Sequence, residues 1–190
     1  EVRELEPSED GSNREELMRQ LADEGYDLVI GVGFAFAEVL PNIATDYPDT
    51  DFAIVDSVVE APNVANLVFK EQDGSFLMGA IAGLMTKTNV VGFVGGMEGD
   101  LIKKFEVGYR AGVKTTNPDC EVLVTYVGSF ADPVKGEDYA NAQYDQGADI
   151  VFQAAGQSGL GVINAAKKRN LYAIGADMDQ NHLAPDNVIN

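Results

Sequence analysis

GYDLV at residues 25–29 returns as GADIV at residues 147–151, and FAIVD, ending at Asp56, returns as YAIGAD, ending at Asp177. The first pair is offset by 122 positions (147 − 25) and the second by 121 (177 − 56). In each copy a glycine follows an amphipathic stretch, where a left-handed residue ends a helix. A short apolar run then reads as a buried strand, and a second such run ends in an aspartate. One GxD before an apolar run is common in α/β proteins. Two matches at nearly equal spacing read as a duplicated unit, and hence as two lobes.

On either side of these segments apolar runs alternate with amphipathic stretches along the whole chain, the pattern of a parallel sheet with crossover helices. Strands are predicted near residues 2–5, 28–30, 52–55, 64–69, 90–94, 122–127, 150–152 and 172–174. Helices are predicted near residues 34–47, 75–87, 100–116, 133–146 and 159–168, and one more runs to Glu24 from a capping-box signature, Ser12 with Glu15. The fold class is therefore α/β with doubly wound parallel sheets. In open parallel sheets, ligands bind beyond the carboxyl ends of the strands. Asp56 and Asp177 both lie there, and if the lobes face each other their carboxylates enter one cleft from opposite sides. The alternative is that each caps its own turn.

Composition narrows the function. Across 190 residues, 13 Lys+Arg stand against 31 Asp+Glu, a net charge of −18. Such a chain is repelled by nucleic acid and by anionic membrane surfaces. The acidity is uneven: residues 1–70 hold 4 basic and 16 acidic side chains. A high-salt organism would also favour so acidic a surface. One cysteine, Cys120, and one histidine, His182, cannot build a common zinc site, so no metal and no cofactor is expected. No stretch approaches the about 18 apolar residues of a membrane span, and Glu1 opens without the basic and apolar regions of an export signal.

Four glycine- or aromatic-bearing turns carry the candidate chemistry. GVGFAF at residues 31–36 follows a strand, but Phe36 stands where the dinucleotide fingerprint GxGxxG needs its third glycine. VGFVGGMEGD at 91–100 lacks the GK[ST] ending of a phosphate loop and is expected to offer backbone N–H groups to a ligand. AAGQSGLG at 154–161 has small residues that would let a ligand approach the backbone closely. GSFADP at 128–133 places Phe130 just after a strand, either packed or serving as a stacking platform for a planar ligand. The serines lack a plausible base, and Cys120, read as part of a surface turn after Asn117-Pro118-Asp119, lacks a basic partner. Nothing here marks an enzyme.

GYDLVIGVGF, YPDTDFAIVDS, NVANLVFKEQDGSFLMGAIAGLMTKTNVVGFVGGME, FEVGYRAG, GSFADPVKGEDYANAQYDQGADIVFQAAG and YAIGADMDQ together resemble the basic membrane protein family, whose members include purine nucleoside receptor lipoproteins. The resemblance runs from about Gly25 to Gln180. It implies the two-lobed fold of type I periplasmic binding proteins and an extracytoplasmic substrate-binding component of an ABC transporter. By the same resemblance Asp56 accepts hydrogen bonds from ribose hydroxyls, Phe130 is one of two aromatics that sandwich the base, Gly156 is a backbone contact and Asp177 is the acid of the second lobe. Ala176 stands where valine is usual, and Gln157 where a second glycine is common.

Family members begin with a further strand, an Asp and an SFN motif, and continue with a return to the first lobe. The chain is accordingly expected to be an incomplete representation of such a protein. Residues 1–70 are read as part of the N-terminal lobe, residues 71–180 as the second lobe, and 181–190 as the start of the return crossover. In the 2-1-3-4-5 order the absent first strand would lie between residues 2–5 and 28–30 and leave a gap. The implied partners are a nucleoside, a transporter permease and, through a lipid anchor outside this chain, the membrane. Two other readings are a transcription regulator built on the same sensor fold and an NAD-dependent dehydrogenase using GVGF.

Overall fold

The computed structural model describes residues 2–8 and 11–189, which form two compact units, one up to Phe69 and one from Lys70 onward. In the first unit, helix α1 (Arg14–Asp23) leads into β1 (Leu28–Val32), α2 (Leu40–Asp46), β2 (Asp51–Val55) and β3 (Val64–Leu67). The three strands are parallel and adjacent in the order β1-β2-β3. Their core gathers Met18, Val29, Leu40, Ile43, Phe52 and Ile54.

The second unit contains α3 (Glu71–Met85), β4 (Val90–Gly95), α4 (Asp100–Thr116), β5 (Glu121–Tyr126), α5 (Pro133–Asp145), β6 (Ile150–Ala154), α6 (Ser158–Arg169), β7 (Tyr172–Ile174) and β8 (Val188–Ile189). Its five strands are all parallel and ordered β5-β4-β6-β7-β8, the doubly wound arrangement with its switch point between β4 and β6. All five residues of β6 are buried, as expected of a central strand covered on both faces. Helices α3 and α4 meet with backbones almost touching: a Cβ at Gly79 would lie 2.0 Å from Tyr109 O, and one at Gly112 would lie 1.9 Å from Phe76 O. Only glycine allows that approach.

The duplication seen in the sequence is reproduced in backbone detail. α1 ends with Gly25 at φ +81, Gly25 N–H donating to Ala22 O and Tyr26 N–H to Leu21 O. α5 ends with Gly147 at φ +102, Gly147 N–H donating to Tyr144 O and Ala148 N–H to Gln143 O. These are two copies of one Schellman ending. Each leads into a parallel three-strand run, β1-β2-β3 in one unit and β6-β7-β8 in the other.

Several expectations are corrected. Residues 2–5 form no strand; with β1 they line a cavity of about 570 Å³ instead of pairing with it. On that side Leu28, Ile30 and Val32 of β1 are exposed. The helix predicted over 34–47 is broken into a 3-10 turn, Phe34–Glu38, and α2, because Pro41 lacks the N–H that would continue the first segment. The capping box is not made: Asn13, not Ser12, is the N-cap of α1, and its side chain makes no capping bond. Residues 188–189 form β8, which pairs with β7 in the second unit's sheet.

Candidate functional site

At the end of β2 the chain must leave the sheet, and it does so at Asp56 with φ +65. The Asp56 N–H donates to Leu67 O on neighbouring β3 at 2.9 Å. The loop that follows is braced by Asn66, whose Nδ2 donates to Val59 O at 3.1 Å while its Oδ1 accepts from Val59 N–H at 2.8 Å. At the end of β7 the second unit repeats the conformation: Asp177 has φ +67, and across it Met178 N–H closes onto Ala176 O at 2.8 Å. Left-handed backbone is uncommon outside glycine and concentrates at ligand-binding turns. The two aspartates singled out by sequence spacing thus share one unusual shape at the carboxyl ends of corresponding strands.

Phe130 follows β5 and is half-buried against the second core. Its ring lies on the backbone of Gly96, at the end of β4, where a Cβ would fall 2.3 Å from ring Cδ1 and Cε1. Gly156, at φ +56 after β6, sits beside it; a Cβ there would be 3.2 Å from Phe130 O. Ser158 locks the group. Its N–H donates to Phe130 O at 3.1 Å, and its buried Oγ donates to Ser129 O at 3.0 Å and accepts from Asp132 N–H at 2.9 Å. Asp132 in turn caps α5 by accepting from Lys135 N–H at 3.0 Å, with Pro133 preset in the first turn.

The structure therefore brings Phe130 and Gly156 together and puts Asp177 on the same carboxyl edge, after β7, the neighbour of β6. Asp56 holds the corresponding place in the first unit. Gly96, Ser158 and Asn66 were not singled out from sequence. The doublet Gly95-Gly96 was a visible signal, whereas the Ser158 and Asn66 contacts depend on tertiary placement. The expectation that VGFVGGMEGD offers its N–H groups outward changes at Gly96, whose N–H donates to Ala154 O at 2.9 Å.

Beside this edge Glu106 of α4 is nearly buried, accepting from Tyr126 OH at 2.6 Å and from Lys103 Nζ at 2.8 Å. Burial works against its charge, but the Lys103 and Tyr126 hydrogen bonds outweigh burial and hold the carboxyl below its usual value. Burial, reinforced by Glu106, pushes the Tyr126 phenol up to about 12. Cys120 is fully buried, not on a surface turn, and burial raises its thiol above the usual range. At GVGFAF, the Phe36 ring packs over Gly31, with Cγ 3.0 Å from where a Cβ would stand, and a 3-10 turn follows in place of a long helix. That is not the geometry of a dinucleotide turn. Among the described residues no group of three or more His, Cys, Asp or Glu side chains is placed to hold a metal ion, and no helix is long and apolar enough to cross a membrane.

The Bmp family, ABC transporter substrate-binding protein PnrA-like, matches residues 1–190. The chain belongs to this family. Within the Bmp family, basic membrane protein A of Borreliella burgdorferi is 43% identical over 175 residues, 89% of this chain and 52% of that protein. The ABC transporter nucleoside-binding protein BmpA of Lactococcus lactis is 40% identical over 169 residues, 84% of this chain and 48% of that protein. Among solved structures, an ABC transporter system solute-binding protein from Aeropyrum pernix K1 superposes with a TM-score of 0.85 at 30% identity, covering 94% of this chain and 54% of that one. The chain thus spans about half the length of the curated relatives it matches, and it has the type I periplasmic binding protein fold.

Proposed function

We propose that this Bmp-family chain is the ligand-recognising part of an extracytoplasmic receptor that delivers a nucleoside, specifically a purine nucleoside, to an ABC transporter. In this reading Asp56 and Asp177 accept hydrogen bonds from ligand hydroxyls, Phe130 stacks on the base, and Gly156 admits the ligand to the backbone. The partners are the transporter permease and, through a lipid anchor outside these residues, the membrane. Residues 1–70 serve as part of one lobe and residues 71–180 as the body of the other.

The observation that carries the reading is the duplicated strand-end aspartate, held at φ +65 in one unit and +67 in the other. Ionised carboxylates only accept hydrogen bonds, and ribose hydroxyls donate them. The nucleoside named in the Lactococcus lactis relative supplies the ligand class, and Phe130 supplies a surface suited to a planar base. A hydrogen bond to a charged group is worth about 1.5–3 kcal/mol, so Asp56→Ala in the full-length protein weakens purine nucleoside binding by about one to two orders of magnitude. Titration calorimetry with purine and pyrimidine nucleosides, free ribose and free base checks this. An unchanged affinity in the variant removes Asp56 from the site, and equal affinity for pyrimidines removes the purine preference.

A further inference from the structure

Gln153 is a polar residue in the middle of the second core. It lies on the central strand β6 and is 1% exposed. A buried amide is costly unless its donors and acceptor are used. Gln153 Oε1 accepts from Ala155 N–H at 3.0 Å, and Nε2 donates to Gln180 Oε1 at 2.8 Å. The same Gln180 oxygen also accepts from Ala176 N–H at 3.2 Å. Because a backbone N–H can only donate, these two bonds fix which way round both amides sit. Gly159 makes room for the arrangement, since a Cβ there would lie 2.0 Å from Gln153 Oε1.

Between Ala176 and Gln180 stands Asp177 at φ +67, in the left-handed region that few residues other than Gly, Asn and Asp enter. The turn is closed locally by Met178 N–H onto Ala176 O, and the Gln180 oxygen ties the residue before it to the buried strand. The first unit offers an internal comparison. Its Asp56 turn has the same φ, yet Gly31 occupies the position equivalent to Gln153 and Val59 that equivalent to Gln180, and Asn66 does the bracing instead. The turn shape is common to both units and the fastening is not, so the glutamine pair is no general requirement of the fold.

We propose that Gln153 and Gln180 form a positioning pair that presents the Asp177 carboxylate to the ligand by fastening its turn to the buried strand β6. The part of this concerning ligand rests on the function proposed above; the part concerning the turn does not. Gln180 is the residue to test, because Gln153 variants risk the core. Gln180→Met keeps the length and removes the acceptor, whereas Gln180→Glu keeps an oxygen able to receive both donors.

In the full-length protein without ligand, the amide hydrogens of Ala176 and Met178 exchange faster in Gln180→Met and at the wild-type rate in Gln180→Glu. Adenosine and guanosine binding by calorimetry falls about tenfold in Gln180→Met, the scale of one lost neutral hydrogen bond, and is restored in Gln180→Glu. In an Asp177→Ala background the Gln180→Met change then has no further effect, the sign that the two act as one unit. Unchanged amide exchange in Gln180→Met overturns the fastening. Accelerated exchange with full affinity, while Asp177→Ala weakens binding, overturns the positioning role. Failure of the wild-type protein to bind either nucleoside overturns the functional reading instead, and the exchange comparison still decides the fastening.

Discussion

Alanine at Gly96 is a direct probe of the Phe130 platform, because its Cβ would stand 2.3 Å from Cδ1 and Cε1 of the ring. Carbon contacts settle near 3.5–4.0 Å, so one partner must yield by roughly 1.2 Å or more. The backbone at Gly96 is held on both sides, its N–H donating to Ala154 O at 2.9 Å and its carbonyl accepting from Gly128 N–H at 2.8 Å. The half-buried ring is therefore what moves. Overpacking costs about 1–3 kcal/mol in a closed core; a ring with room to retreat places this change near the low end, a fall of about 2–4 °C in the ligand-free melting midpoint. Displacing a stacking surface forfeits part of about 1–3 kcal/mol of base stacking, a loss of up to roughly a hundredfold in nucleoside affinity. Scanning calorimetry and titration on the full-length protein read both effects. Gly74→Ala is the control: it lies within α3 with nothing within 4 Å of its Cβ position, so alanine there raises the midpoint or leaves it unchanged. A Gly96→Ala variant that melts like Gly74→Ala refutes the ring contact, and a lowered midpoint with full affinity refutes stacking on Phe130.

Two further outcomes test the second unit more locally. Cys120 is buried with its thiol raised above the usual range, so the native protein resists a thiol-directed aromatic disulfide reagent and this residue reacts fully once unfolded; rapid native labelling contradicts its placement. Glu106 has its pKa lowered in the folded state, so the stability it adds is present above the usual carboxylate value of 4.5 and is lost as pH falls through its lowered pKa. The melting difference between wild type and Glu106→Gln accordingly narrows from pH 7 to pH 3, and a constant difference contradicts the Lys103–Glu106–Tyr126 cluster.

What could be read in the sequence was what repeats or alternates. The paired offsets at Gly25/Gly147 and Asp56/Asp177 carried the duplication, and both pairs recur as matching left-handed positions. Buried strands such as β6 were legible because a strand covered on both faces is a continuous apolar run. Residues 2–5 misled because apolar spacing announces a strand without supplying a ladder partner. Pro41 is a visible break inside a helical pattern, and the structure divides the segment just before it. Cys120 was misplaced because the Asn117-Pro118-Asp119 turn suggests surface, although the residue after it already enters the core beneath α4. Gln153, Ser158 and Asn66 were illegible for a different reason: their partners lie 27, 29 and 7 positions away in Gln180, Ser129 and Val59, contacts that only the folded topology creates.

The most direct test of the account is the identity of the small molecule carried by the full-length protein after gentle purification, released by denaturation and identified by mass spectrometry. A purine nucleoside in near-stoichiometric amount is expected from wild type, and little or none from Asp56→Ala or Asp177→Ala prepared in the same way. Release of a free sugar, an amino acid or another solute without a base, at equal yield from all three proteins, would contradict it.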